Sequence, residues 1–314
     1  MRIAVFGTGG VGGYFGGLLA HAGHEVTFIA RGEHLRAIQA NGLQVKSVNG
    51  DFTVRPAQAT DDLAQVGPVE YVVVAVKHYH LALAAQQMRP LVGPETTVVP
   101  LLNGVNAHEI LARAVGPEPL VGGLCSLVSL VEAPGVIRQE TRLRRVVLGE
   151  LDRSRSERVE RLAQAWAETG AEAIQADDIL AALWTKFLFI VSFGGVGSLA
   201  RCNMGEMLGA PETRGLFIES MREVEAVARA RGVELSPDVV DRALAMAEGF
   251  EPTATNSMQR DVAEGKPFEL EAFSGTVIRM GEAAGVPTPV HRHFYALLRP
   301  ALARANTTSS PGAV

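Results

Sequence analysis

Cysteine is nearly absent: the 314 residues hold two, Cys125 and Cys202, far apart and without a CxxC or histidine spacing around either. That excludes a disulfide framework, offers no zinc-ligand pattern, and fits a reducing cytoplasm. Basic clusters are also missing. Against 34 Asp+Glu stand 29 Lys+Arg, a formal charge of -5, so no basic stripe is present to neutralise the phosphates of a nucleic acid. The uncharged stretch Phe187 to Ala200 falls short of the roughly 18 apolar residues that span a membrane and contains Ser and Gly. It is expected as a buried helix, with no membrane partner. A first strand is expected almost at Met1, so no secretory leader is expected. The pairs His78/His80 and His291/His293 are each two apart, a spacing that does not share a helix face, so no metal is expected. Nothing resembles a nucleophile elbow or a catalytic Cys/His pair.

With 47% hydrophobic and 20% charged residues, the composition is that of a globular protein, and the length suits two domains. In the first half strand-like and helix-like stretches alternate: Arg2 to Phe6, Val11 to Ala22, Glu25 to Ala30, and His34 to Ala40 ending at Asn41-Gly42. Tyr71 to Val76 and Thr97 to Leu102 are apolar without alternation, as strands buried on both faces of a parallel sheet are. Leu120 to Val131 and Arg144 to Gly149 read as two further strands. Alternating βα units give an α/β, Rossmann-type doubly wound sheet. From about Ser154 the period becomes 3.6, no further strand stands out, and helices are expected at Glu157 to Glu168, Asp178 to Leu199, Glu212 to Arg231, Pro237 to Glu248, Ser257 to Glu264, Glu269 to Ala284 and His291 to Arg304. The expected organisation is a dinucleotide-binding domain over 1–172, an all-α domain over 173–305 and a flexible tail over 306–314.

Directly after the first strand stands Gly7-Thr8-Gly9-Gly10-Val11-Gly12, a G-x-G-x-x-G that opens a helix. The first glycine permits the turn, the second lets backbone approach a pyrophosphate, and the third lets helix and strand pack closely. At the end of the second strand, where NAD-preferring folds carry a carboxylate for the ribose 2′-hydroxyl, this chain has Ala30 and Arg31. A guanidinium there suits a 2′-phosphate, so NADP(H) is the expected cofactor.

Further motifs line up in order: VAVK with Lys77, LLNG with Asn103, LWTKF with Lys186, NSMQRDV with Ser257 and Asp261, and KPFELEAFSG with Glu269. Together with the glycine loop and Arg31, they resemble the ketopantoate reductase (2-dehydropantoate 2-reductase) family over nearly the whole chain. The resemblance implies NADPH-dependent reduction of a 2-oxo acid, ketopantoate to pantoate in pantothenate biosynthesis, in a cleft between domains, and leaves a homodimer open. It implies Lys186 as the general acid and Glu269 as the second catalytic group. Asn103 and Lys77 would meet cofactor phosphates or substrate, and Ser257 the substrate carboxylate. Lys186 is the one charged residue between Asp178 and Arg201. For Ser257 an N-cap role is the alternative, for Asn103 an Asn-Gly turn, and Glu264 and Glu271 compete with Glu269 on residue type alone.

Three departures stand out. The family's ketopantoate-specific members carry asparagines four and eight residues after the catalytic lysine, and Ile190 and Gly194 occupy those places. A further expected asparagine falls on Met204, with Asn203 adjacent. The reductase chemistry is therefore expected with the substrate's identity open, a less polar 2-oxo acid or a cofactor-binding sensor being the alternatives.

Overall fold

The computed structural model describes residues 1–308. In chain order the elements are β1 (Arg2–Phe6), α1 (Gly10–His21), β2 (Glu25–Ile29), α2 (Gly32–Asn41), β3 (Leu43–Ser47), β4 (Phe52–Val54), β5 (Gln58–Thr60), β6 (Tyr71–Val74), α3 (Leu81–Gln87), β7 (Thr97–Pro100), α4 (Ala107–Val115) and β8 (Gly122–Ser126). Then follow β9 (Ser129–Ala133), β10 (Val136–Gln139), β11 (Arg145–Gly149), α5 (Glu157–Glu168), β12 (Glu172–Gln175), α6 (Ile179–Ala200), α7 (Met204–Gly209), α8 (Pro211–Ala230), α9 (Val239–Glu248), α10 (Ser257–Ala263), α11 (Ser274–Ala284) and α12 (Pro289–Thr308). The chain divides into one unit over Met1–Ile179 and a second beginning at Leu180.

The first unit is built on a five-stranded parallel sheet in the order β5-β2-β1-β6-β7. Side chains alternate across its strands, so each strand feeds two cores. Ile3, Val5, Phe28, Tyr71, Val73 and Val99 join Phe15 and Leu19 of α1 and Trp166 of α5 on one face. Ala4, Phe6, Val72, Val74 and Val98 join α3 and α4 through Leu81, Ala84 and Leu111 on the other. That double burial is why these strands read as unbroken apolar runs.

The strands expected near 120–131 and 144–149 form, but outside this sheet. β8 and β11 pair antiparallel and take β12 alongside β11, as a three-stranded sheet. β9 and β10 join β3 and β4 in a four-stranded one. The strand β12 corrects the expectation that none follows Ser154, and the expected boundary at 172/173 falls inside it. Its pairing with β11 keeps the chain in the first unit to Ile179.

The second unit is helical, as expected. α6 runs 22 residues and is long and apolar enough to cross a membrane by length and composition, yet 67% of its most apolar window is buried inside the protein. It serves as a core helix: Phe189 meets Phe193, Phe217 and Phe250, and the Phe294 ring of α12 lies so close to Gly195 that a Cβ there would sit 2.2 Å from it. Residues 306–308, expected in a tail, continue α12, and 309–314 lie outside the described residues.

Candidate active site

The glycine loop joins the carboxyl end of β1 to α1. Gly7 has φ +99°, and a Cβ on it would lie 2.8 Å from Val76 Cγ1 and 2.9 Å from Ala75 O, at the end of β6. Both the backbone angle and the neighbour require glycine. A Cβ on Gly12 would lie 2.1 Å from Gly7 O, so this glycine closes the turn under the helix. Gly9 differs, since a Cβ there would meet nothing within 4 Å. It caps α1 without a side-chain hydrogen bond, and the first turn carries no acidic residue. A helix N-terminus left open beside a bare backbone is a phosphate cradle, and a dinucleotide fits it. Thr8 braces the loop against β2: its buried hydroxyl donates to Ile29 O at 3.0 Å and its N–H to the same oxygen at 3.3 Å.

β1 is the point where the strand order reverses, with β2 on one side and β6 on the other. Ligands of open α/β sheets gather at the carboxyl ends there. Arg31 follows β2 and caps α2, with Nη2 donating to Gln87 Oε1 at 2.7 Å. Lys77 follows β6, exposed, at the start of a turn over His78–His80. Asn103 follows β7 and is half-buried. The loops of Lys77 and Asn103 are tied together, because His78 Nε2 donates to Asn106 Oδ1 at 2.8 Å.

In the second unit Lys186 sits half-buried on α6. Glu269 is 5% exposed and lies in a turn before α11, not on the helix expected from 269. The ring of Phe187, next to Lys186, packs edge-on against Phe273, which closes that turn by donating its N–H to Glu269 O at 2.9 Å. Ser257 opens α10. Its cap is Asn256, whose Oδ1 accepts from Gln259 N at 2.9 Å, so capping does not employ Ser257. The rival glutamates belong to the surface: Glu271 is bound by Tyr295, Arg279 and Arg299, and Glu264 pairs with exposed Lys266. Burial therefore distinguishes Glu269 from both.

Two family models cover the chain: "Ketopantoate reductase PanE/ApbA" matches residues 3–153, and its C-terminal counterpart matches 178–301. The chain belongs to the ketopantoate reductase family. It is 33% identical to a 2-dehydropantoate 2-reductase of Mesorhizobium japonicum, over 95% of this chain and 97% of that one. Among solved structures, a 2-dehydropantoate 2-reductase from Methylococcus capsulatus superposes with a TM-score of 0.89 at 30% identity, covering 99% of each chain. D-mandelate dehydrogenase, solved with NADH and anilino(oxo)acetate, shares the fold at a TM-score of 0.89 and 23% identity, over 98% of this chain and 99% of that one. This ketopantoate reductase family member is thus an oxidoreductase of 2-oxo acids that works with a nicotinamide cofactor.

Of two further residues, the sequence does not single out His34, and it brings in Asn203 only as the neighbour of Met204. His34 spans the glycine loop and the β9–β10 turn: its Nε2 donates to Thr8 O at 2.8 Å while its Nδ1 accepts from Gly135 N at 3.0 Å. Burial lowers its pKa, against the raising effect of the Thr8 bond, so the neutral ring that both contacts need is the favoured form. Asn203, adjacent to the expected asparagine position, is a helix cap, exchanging hydrogen bonds of 2.9 Å with Glu206 in a capping box. At Gly194 a Cβ would stand 3.2 Å from Met258 Cε and 3.5 Å from the Phe273 ring. The two asparagine positions therefore present half-buried Ile190 and a glycine under Met258 and Phe273.

Proposed function

We propose that the protein reduces a 2-oxo acid to the 2-hydroxy acid with NADPH, ketopantoate to pantoate being the reaction its relatives' names point to. The observation that carries the reading is Glu269, a carboxylate 5% exposed in the turn whose Phe273 packs on Phe187, beside Lys186. NADPH rather than NADH is supported by Arg31 at the end of β2 and by the lack of any carboxylate there. Two free cysteines, Cys125 and Cys202, agree with the reducing cytoplasm this role implies.

Gly7 to Gly12 would hold the pyrophosphate of NADPH, Arg31 its 2′-phosphate, and Lys77 and Asn103 would meet the cofactor or substrate; the reduced nicotinamide would supply a hydride for C2 of the substrate. Negative charge then develops on the carbonyl oxygen. Lys186 stabilises that charge and gives up a proton to it, and Glu269 keeps the lysine charged and oriented beforehand. Ser257 donates to the substrate carboxylate. The amine left on Lys186 takes its next proton from solvent.

A second reading, a less polar 2-oxo acid, is favoured by the apolar strip of Ile190, Met258 and Phe273 around Gly194. A site that hydrogen-bonds a substrate hydroxyl discriminates strongly through the groups that do so. Steady-state kinetics across 2-oxo acids tests both: the highest kcat/KM on ketopantoate supports the first, and the highest on an acid with an unsubstituted alkyl or aryl side chain supports the second.

A further inference from the structure

Arginines on this protein are commonly held by carboxylates: Arg158 by Glu150, Arg161 by Glu70, Arg229 by Glu225, Arg292 by Glu282. Arg31 is held by an amide, Gln87 Oε1, at 2.7 Å. The difference is chemical. An amide oxygen fixes the orientation of a guanidinium by one N–H while leaving its charge and its remaining donors for another ligand. A carboxylate in the same place would neutralise the charge and compete with an incoming anion.

Gln87 ends α3 and His80 caps its start, seven residues earlier. Seven residues are two helical turns, so the two side chains stand on one face. Gln87 reaches Arg31 from that face, and His80 carries its influence too: burial first, and the Arg31 charge second, hold the His80 imidazole below its ordinary pKa. His80 touches the edge of the Tyr79 ring and is half-buried.

Building on the NADPH reading above, we propose that Arg31, Gln87 and His80 form a clamp for the 2′-phosphomonoester of the cofactor, with Gln87 the residue that sets its preference over an unphosphorylated ribose. Gln87 acts through Arg31, aiming the guanidinium without spending its charge. His80 adds a ring nitrogen that hydrogen-bonds a phosphate oxygen.

The test is calorimetric binding of two cofactor fragments, 2′,5′-ADP and 5′-AMP, to the full chain and to Gln87→Glu and Gln87→Leu, with melting curves to confirm folding. The expected result is that the wild type binds 2′,5′-ADP more tightly, that Gln87→Glu loses about 10- to 100-fold on 2′,5′-ADP and little on 5′-AMP, and that Gln87→Leu loses less. A wild-type preference that survives Gln87→Glu overturns the role of Gln87 and leaves the NADPH reading standing. No wild-type preference overturns the NADPH reading itself, and the clamp with it.

Discussion

Gly9 and Gly10 are consecutive, yet a Cβ on Gly9 would meet nothing within 4 Å while one on Gly10 would lie 2.5 Å from the backbone oxygen of Ser129 in β9. One glycine leaves space for a ligand and the other lets a strand approach the helix. Gly9→Ala should therefore fold with stability within about 0.5 kcal/mol of wild type and bind NADPH about tenfold more weakly or worse. Gly10→Ala should lose about 1–3 kcal/mol of stability, the usual cost of overpacking. Thermal melts with a cofactor titration separate the two. Equal effects of both variants on stability would contradict the assignment.

Lys186→Ala should lower kcat by about 10² to 10⁴, the usual worth of a placed proton donor, with NADPH binding little changed. Glu269→Gln should also lower kcat. Glu271→Gln, which disturbs only a surface cluster with Tyr295, Arg279 and Arg299, should leave it nearly unchanged. Equal losses at 269 and 271 would remove the reason for choosing Glu269.

Restoring polarity on α6 tests the substrate pocket. Ile190→Asn should raise the kcat/KM ratio of hydroxylated over alkyl 2-oxo acids. Gly194→Asn alone should do so less well, because its Cβ meets Met258 Cε at 3.2 Å. A ratio unmoved by Ile190→Asn would mean that this face does not touch the variable part of the substrate.

His291 is fully buried, and burial lowers its pKa from 6.5 to about 4 despite a bond to Ser220 O. The unfolded chain takes up that proton near pH 6.5 and the folded chain only near 4. Its stabilisation is therefore complete above about pH 6.5 and is lost as pH falls towards 4, by about 1.4 kcal/mol per pH unit. The lowered pKa values of His24, His34 and His80 act in the same direction. Denaturant unfolding at pH 7 and pH 5 should show a smaller difference for His291→Gln than for wild type.

The parts legible in the sequence are those whose signal is local. α5 spans Glu157–Glu168 as expected, because Ser156 caps it and one face is apolar throughout. The glycine loop was legible for the same reason, its three roles falling within six residues. β12, with the sequence EAIQ, is short and half polar, and only its pairing with β11 makes it a strand. The six residues of α7 carry too little periodicity to register, although their cap at Asn203 is complete. The sequence pattern places Glu269 on a helix because its turn is as apolar as the helix that follows. The His34 latch joins residues 101 positions apart, and the Arg31–Gln87 contact joins residues 56 apart. No periodicity reports such pairs.

The most direct test of the central claim is the yield of 2-hydroxy acid per NADPH consumed when the purified protein is given ketopantoate and a series of other 2-oxo acids. The account predicts equal amounts of NADPH oxidised and 2-hydroxy acid formed with at least one of them, and loss of both in Lys186→Ala. Tight NADPH binding with no oxidation by any 2-oxo acid would contradict it.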